Sequence, residues 1–436
     1  MAEFETHEKH APLVVGRAES VHVFGEDRDR GPRFHVRIVD VSQEATCSCF
    51  IVPQGREHEY VFGSDDGLAQ VAASAKCGRL LAVSLLSRGG HAFGDLKSVQ
   101  RELEGAVVDL APPGCAGSIA FVTAGGDLGS RTVVASGPTA SGDTYYVEEV
   151  DEGSARVRRL VFASNDRVVQ TEVALLPPAK KKAAKGKGKK KAPRAPRDDG
   201  ARRVDGDDLR SAYHAAMLAA CGCAARVDDI LLVGLGGGAL ASALRRYRPA
   251  AAVAVRELDG AIVDVAAEWF GFRHGDRDAR TTVEVGDGLD AFEGLGDGDR
   301  FDVVAVDVDA KDASLGMCCP PKAFVAVDYL EKARRHLRDG GVFVVNVVAR
   351  RREDYAETCA HVKTVFGNVR VLRPTPDDVN RVLVACATES DDWAARGKAA
   401  LSDWLLGADR ADDPHELLDL FSKLEVAGGL REAPPR

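Results

Sequence analysis

A run of apolar residues that ends in a glycine cluster constrains this chain more than any other feature of its sequence. Residues 230–233 are Ile-Leu-Leu-Val, glycines follow at 234, 236, 237 and 238, and residues 239–245 are good helix formers. Glycine adopts positive φ angles and lets a ligand approach the backbone closely, and a helix N-terminus presents unpaired N–H groups. The pattern predicts a strand, a tight turn and a helix, which open a doubly wound nucleotide-binding sheet. Alone, it also fits a packing turn without a ligand.

Acidic side chains follow each of the next three predicted strands. The carboxylates are Glu257 after strand 251–255, Asp287 after strand 281–285, and Asp307 and Asp309 after strand 301–306. Because the carboxyl ends of parallel strands meet at one edge of a sheet, we expect these acids beside the glycine turn. Each of them also has a simpler interpretation as a surface acid, a turn residue or a helix cap.

The series of acids favours S-adenosylmethionine over a dinucleotide as the ligand. A dinucleotide site needs a phosphate cradle, whereas S-adenosylmethionine has no phosphate and carries a ribose diol, an adenine amine and a sulfonium cation. Glu257 lies about twenty residues beyond the glycines, where a carboxylate chelates ribose hydroxyls. We expect Asp287, with Gly288 beside it, to accept a hydrogen bond from the adenine amine. The glycines expected to meet the methionine moiety are Gly234, Gly236 and Gly237.

The order of predicted elements divides the chain into folded and unfolded parts. Strands and helices alternate from residue 206 and end in a hairpin near 369–386, which predicts an α/β fold with a Rossmann-like class I methyltransferase sheet. A smaller strand-rich α+β region precedes it, and there we interpret residues 60–62 as a short strand. The expected divisions are a loosely ordered extension (1–33), a strand-rich α+β domain (34–177), a basic flexible linker (178–205), a methyltransferase domain (206–390) and a helical tail (391–436).

The distribution of charge and the cysteines limit which binding partners and which cellular compartment we expect. Residues 180–203 carry a net charge of +10, so the rest of the chain carries −19 and favours a basic partner over nucleic acid. The basic segment is best interpreted as a solvated linker, and a nuclear address or an RNA contact is the alternative. Ten cysteines without paired metal spacing predict reduced thiols and no metal site. The sequence also lacks a secretory or membrane-spanning segment, so we expect a cytoplasmic protein without a membrane contact.

Several motifs resemble one known family. Residues 34–176 and 206–388 are similar to the middle and C-terminal regions of the dual elongation-factor-1-alpha lysine and N-terminal methyltransferases. The motifs that carry the resemblance are Ile-Val-Pro-Gln-Gly-Arg-Glu at 51–57, Gly-Gly-Asp at 125–127, Arg-Arg-Leu-Val-Phe at 158–162, Val-Gly-Leu-Gly-Gly-Gly at 233–238, Trp-Phe-Gly-Phe at 269–272, Asp-Val-Asp-Ala-Lys-Asp at 307–312, Leu-Gly-Met at 315–317 and Cys-Pro-Pro at 319–321.

The resemblance implies a specific activity and substrate. Members of that family combine a domain that methylates a lysine with one that methylates the N-terminal α-amine of the elongation factor. The sequence upstream of residue 34 is too short for the first domain, so we expect the α-amine activity, S-adenosylmethionine as cofactor and the elongation factor as protein substrate. The residues that the resemblance places at the incoming amine are Asp307, Asp309 and Asn380.

Two other classes of function stay open at this stage. The same regions resemble spermidine synthases, since Gln170 and the Tyr213–His214 pair echo their motifs, but residues 238–240 are Gly-Ala-Leu where those enzymes carry an aspartate that binds an aminopropyl donor. A non-catalytic S-adenosylmethionine-binding module is the second alternative. Tyr213, His214 and Tyr329 are interpreted as core residues, because aromatic residues on helices are usually buried.

Overall fold

A computed structural model describes most of the chain and divides it into two compact units. The first unit comprises residues 1–136, 146–161 and 166–169, and the second comprises 137–145, 162–165 and 170–436. The described residues are 18–25, 27–115, 119–152, 155–177, 203–206, 209–310, 316–374, 378–386, 395–396, 399 and 425–426.

The first unit contains a sheet with strand order β1-β2-β4-β3-β5. Strands β3, β4 and β5 pair in parallel, and the other neighbours are antiparallel. Helix α3 buries Val99, Leu103 and Val107 against one face of the sheet, and α2 buries Leu68 against the other. The elements are β1 (Ala18–Phe24), β2 (Pro32–Asp40), β3 (Cys47–Val52), α1 (Tyr60–Gly63), α2 (Asp65–Ala75), β4 (Arg79–Leu85), α3 (Leu96–Leu110) and β5 (Ala120–Thr123).

Two expectations for this unit are wrong. The extension 1–33 contains strand β1 from Ala18 onward, because Val21 and Val23 supply the apolar side of an alternating strand that pairs with β2. Residues 60–62 form the helical turn α1 rather than a strand. The Ser64 hydroxyl donates to the Tyr60 carbonyl, and Phe62 is buried and stacks on Phe50 with ring centroids 5.3 Å apart. Three apolar residues are too few to distinguish these conformations by period.

A four-stranded sheet follows in the chain. Its four strands have the order β6-β7-β8-β9 among the described residues. Residues 178–202 of the expected linker lie outside the described residues, but Val204 forms a bridge with Leu175. The strands are β6 (Ser130–Pro138), β7 (Thr144–Asp151), β8 (Arg156–Phe162) and β9 (Asn165–Ala174).

The second unit contains the expected Rossmann-like sheet. Its order is β12-β11-β10-β13-β15-β17-β16-β18, with β14 paired to β15. The first five strands of this order pair in parallel. The last three strands, β17, β16 and β18, form antiparallel pairs, as the predicted hairpin requires. The elements are α4 (Ala212–Cys221), β10 (Asp229–Val233), α5 (Ala239–Tyr247), β11 (Ala252–Glu257), α6 (Gly260–Trp269), β12 (Thr281–Val285), β13 (Phe301–Val306), β14 (Met317–Cys319), α7 (Val327–Arg335), β15 (Leu337–Ala349), α8 (Arg352–Phe366), β16 (Asn368–Leu372), β17 (Arg381–Cys386) and β18 (Glu425–Val426).

Helices cover both faces of this sheet. Helices α4, α5 and α6 pack on one face, and α7 and α8 pack on the other. The central strands β10, β13 and β17 are buried on both sides, which explains their nearly continuous apolar sequences. Most of the tail 391–436 lies outside the described residues. Its residues Glu425–Val426 pair with β16, so this part is a strand and not the expected helix.

Within the described residues, no helix is both long enough and apolar enough to cross a membrane. In the same part of the chain, no group of three or more His, Cys, Asp or Glu residues is arranged to hold a metal ion. All ten cysteines are unpaired.

A buried carboxylate joins the amino ends of three strands. Asp302 is 2% exposed, and its Oδ2 accepts from the backbone N–H groups of Asp228 at 2.9 Å and Asp229 at 3.1 Å. Nη1 of Arg338 lies 3.2 Å from Oδ1. Burial opposes ionisation, but the two N–H donors and the guanidinium outweigh it, so the pKa of Asp302 is lowered. The ionised carboxylate therefore stabilises the folded state.

We expect Asp302→Asn to lower the free energy of unfolding by about 2–4 kcal/mol near neutral pH, since two buried donors and Arg338 lose their charged partner. A carboxyl group whose pKa is lowered on folding stabilises the folded state at pH values above its unfolded pKa of about 3.9. This stabilisation is lost as the pH falls through the folded pKa. The difference between wild type and variant should thus shrink below about pH 4. Urea unfolding across this range measures it, with exposed Asp297→Asn as the control. A difference that stays constant with pH would contradict this account.

Candidate functional site

The register of the parallel strands gathers the predicted acids at one edge of the sheet. Val233 pairs with Arg256 and with Val306, and Glu257 pairs with Val285. The residues that follow these partners therefore lie side by side. The carboxyl-terminal edge carries Gly234, Glu257, Asp287 and Asp307 on four neighbouring strands.

The glycine turn packs closely against the tip of β13 and the end of β9. Gly234 has a φ of +93°, and a Cβ there would lie 2.0 Å from the Asp307 carbonyl oxygen. A Cβ at Gly236 would lie 2.9 Å from Thr171 Oγ1, and one at Gly237 would lie 2.6 Å from Thr171 Cγ2. Protein packing alone thus requires these glycines, so their bare backbone is not by itself evidence of a ligand.

Glu257 is directed at the glycine turn. Its Oε2 accepts from the Leu235 N–H at 2.9 Å, and its Oε1 accepts from the Asp259 N–H at 3.0 Å. The side chain is half-buried at the end of β11. A carboxylate oxygen can accept more than one hydrogen bond, so this group can hold the turn and also receive hydroxyl donors.

Asp287 occupies the adjacent strand end in a different environment. The residue is exposed, and its Oδ1 accepts from the Leu289 N–H at 2.9 Å, which caps a short 3₁₀ turn. A Cβ at Gly288 would lie 2.4 Å from Val233 Cγ1. Two apolar side chains at this edge are exposed, Leu258 by 65% and Val285 by 55%. The edge therefore offers a carboxylate next to an apolar surface.

Asp307 is held by several donors from different elements. Nε2 of His214 lies 3.2 Å from Oδ2, and Asn346 Nδ2 donates to Oδ1 at 3.2 Å. The Tyr213 hydroxyl is also hydrogen-bonded to this carboxylate; burial and the charge of Asp307 raise the pKa of Tyr213, which keeps the phenol a donor. The interpretation of Tyr213 and His214 as core residues overlooked this contact.

Asn346 was missed at the sequence level, although a signal was present. It lies within β15, where it interrupts a run of buried apolar residues and is itself 2% exposed. An amide within such a run requires a hydrogen-bond partner. Tyr329, in contrast, is buried against Phe324 and Phe292, as the interpretation as a core residue predicted.

The end of β9 contributes two residues to the site. Gln170 Nε2 donates to Asp309 Oδ2 at 2.8 Å, and Thr171 Oγ1 accepts from the Gly237 N–H at 2.8 Å. Both residues belong to the second unit. The site therefore includes residues that precede the basic segment in the chain, outside the expected methyltransferase domain of 206–390.

Asn380 lies at the same sheet edge but is not joined to the aspartates. It precedes Arg381, which pairs with Val347 near the carboxyl end of β15. Its Nδ2 donates to Asp378 Oδ1 at 2.7 Å, and among the described residues no hydrogen bond links it to Asp307 or Asp309. Its role at the amine therefore stays a prediction.

Comparison with known proteins shows which sequences this chain resembles. The profile of the spermine/spermidine synthase domain matches residues 210–376. The "eEF1A lysine and N-terminal methyltransferase" of Danio rerio is 39% identical over 83% of this chain and 54% of its own length. The human protein of that name is 35% identical over 82% of this chain and 54% of its own length.

A solved structure is also similar to part of this chain. Human methyltransferase-like protein 13 in complex with SAH is 31% identical, covers 48% of this chain and 99% of that chain, and has a TM-score of 0.41. The chain spans about half the length of the curated relatives that it matches. Over that span, the chain is similar to the eEF1A lysine and N-terminal methyltransferases.

Proposed function

We propose that this chain is an S-adenosylmethionine-dependent methyltransferase that acts on a protein N-terminal α-amine. The observation that carries the proposal is the meeting of Glu257, Asp287 and Asp307 at one sheet edge beside the glycine turn. Carboxylates suit a ligand that presents hydroxyl and amine donors and a positive charge. The relatives' names supply the reaction class.

The residues at this edge fit the methyl donor by their chemistry. Glu257, fixed by two backbone N–H groups, would receive the ribose hydroxyls. Asp287 would accept a hydrogen bond from the adenine amine. The exposed side chains of Leu258 and Val285 would cover the adenine ring. When bound, S-adenosylmethionine supplies an electrophilic methyl group. The turn with Gly234, Gly236 and Gly237 offers the bare backbone where the methionine part would lie.

The aspartates after β13 would receive the acceptor. An α-amine with a pKa near 8 has a useful neutral fraction at physiological pH, so its nitrogen lone pair is available without a strong base. Asp307 and Asp309, held by the donors described above, would accept hydrogen bonds from the amine N–H groups and orient the nitrogen. Asn380 at the same edge is a further candidate. Catalysis would then come mainly from positioning.

The names of the relatives, rather than the geometry, support the proposed substrate. Their names specify the elongation factor eEF1A, and we propose its N-terminus as the substrate here. The acidic charge of the chain outside residues 180–203 favours a basic protein segment. A cytoplasmic location is part of the same proposal.

Aminopropyl transfer is the second candidate function. The match of residues 210–376 to the spermine/spermidine synthase domain favours it. The turn residues 238–240, Gly-Ala-Leu, lack the acid that would bind an aminopropyl donor. Methyl transfer is therefore the better supported of the two reactions.

The first prediction concerns binding of the methyl donor. We expect Glu257→Gln to weaken S-adenosylmethionine binding about 10- to 100-fold, because charge-assisted hydrogen bonds to the ribose are lost. Isothermal calorimetry measures it, and circular dichroism checks that the turn still folds. Glu331→Gln on the exposed side of α7 is the control and should bind as wild type. If wild type does not bind, or if Glu257→Gln binds equally well, the assignment of Glu257 is wrong.

The second prediction concerns the acceptor. We expect methyl transfer to a peptide with the N-terminal sequence of the elongation factor and a free α-amine. We expect none to the same peptide after acetylation of that amine, because the amide delocalises the nitrogen lone pair. Mass spectrometry of the fragmented peptide locates the methyl group. A parallel reaction with decarboxylated S-adenosylmethionine and putrescine tests the second candidate. Label on an internal lysine, or aminopropyl transfer alone, would overturn the proposed activity.

A further inference from the structure

We propose that His214 is a positioning residue whose Nε2–H, together with Asn346, fixes the Asp307 carboxylate in the orientation that receives the acceptor amine. This inference rests on the proposed function. It assigns His214 a role that acts through the Asp307 carboxylate, to which its ring nitrogen is hydrogen-bonded.

The first support is the way in which His214 is buried. The residue is 4% exposed on α4, and its ring lies 4.2 Å from the Tyr213 ring, centroid to centroid. Its Nδ1 is buried without a hydrogen-bond partner among the described residues. Burying a ring nitrogen without a partner carries a desolvation cost. A histidine that only filled the core would be poorly placed here, so the bond from Nε2 to Asp307 accounts for its presence.

The second support is the protonation pattern that this bond requires. An ionised carboxylate only accepts hydrogen bonds. The nitrogen that faces Asp307 Oδ2 at 3.2 Å must therefore carry the hydrogen. The neutral ring is then the Nε2–H tautomer, with its lone pair on Nδ1. In this state His214 is a donor toward Asp307 and is not placed to take a proton from it.

The third support is that the carboxylate is held from two elements. His214 on α4 binds Oδ2, and Asn346 on β15 binds Oδ1. Asn346 is itself 2% exposed and also contacts Cys319 Sγ at 3.5 Å. Two donors on separate oxygens fix both the position and the plane of the carboxylate. The Tyr213 hydroxyl, on the same helix as His214, is a further donor to this carboxylate.

This arrangement predicts a loss of orientation, not of cofactor binding, when His214 is replaced. His214→Leu removes the donor, and His214→Gln retains an amide N–H at a similar reach. We expect the kcat for the peptide to fall about 10- to 100-fold in His214→Leu, since a misplaced orienting group costs this much. The affinity for S-adenosylhomocysteine should stay within about threefold of wild type, and His214→Gln should recover most of the kcat.

His336→Leu is the matched control. His336 is a buried histidine of the same unit that stacks on Phe292, and its Nδ1 lies 2.8 Å from the Asp299 carbonyl oxygen. The loss of the His336 side chain should lower the midpoint of thermal unfolding. It should leave kcat unchanged at temperatures well below that midpoint. If His214→Leu behaves in the same way, or if His214→Gln fails to recover kcat while folded, the positioning role is overturned.

A measurement without turnover tests the tautomer directly. In wild type labelled with ¹⁵N-histidine, we expect the resonances of His214, assigned by their absence from His214→Gln, to show hydrogen on Nε2 and a lone pair on Nδ1. Hydrogen on Nδ1 alone would overturn the inference, because Nε2 could not then donate to Asp307. A wild type that shows the Nε2–H tautomer but methylates no α-amine would instead overturn the proposed function, so the two failures are distinguishable.

Discussion

The close approach of the Gly234 backbone to the Asp307 carbonyl is the constraint on which the site depends. A side chain at residue 234 would collide with that oxygen at 2.0 Å, and the φ of +93° strains any residue but glycine. The Asp307 N–H meanwhile donates to the Val233 carbonyl at 2.8 Å. The glycine turn and the tip of β13 are thus locked together, and the backbone of Asp307 has one position relative to the turn.

The hydrogen-bond partners distinguish the carboxylates that stabilise the fold from the carboxylate that we assign to the site. Asp302 is bound by Arg338, and hydrogen bonds from Arg245 above all lower the pKa of Asp278 to about 2. Asp307, in contrast, is held by an imidazole, an amide and a phenol. Guanidinium partners neutralise a carboxylate, whereas these donors orient it and leave its charge to attract a cation. This contrast supports a site for an amine next to a sulfonium.

Much of the sheet was predictable from the sequence because its strands are short apolar runs that end in glycine or acid. The edge shared by Glu257, Asp287 and Asp307 followed from the parallel order alone. The contacts made by Thr171 and His214 did not, because they depend on how β9 and α4 approach the turn. Strand β1 was missed because its alternation is brief, and α1 because three apolar residues have no period.

Strand β9 contributes residues to the site, although it precedes the predicted methyltransferase domain in the chain. Gln170 and Thr171 are adjacent residues, yet one binds Asp309 and the other binds the Gly237 N–H. The expected division of the chain placed both residues in the strand-rich domain 34–177, outside the methyltransferase domain. Residues 170–174 at the end of this region instead belong to the second unit, so the sheet from 206 onward lacks part of its own site without them.

A crystal structure of the chain with S-adenosylhomocysteine and an N-terminal peptide tests the central claim most directly. The account predicts the ribose hydroxyls within hydrogen-bond distance of Glu257, the adenine amine at Asp287, and the peptide α-nitrogen at Asp307 between the sulfur and the His214-bound carboxylate. An adenosine group bound elsewhere, or a peptide nitrogen remote from Asp307, would contradict it.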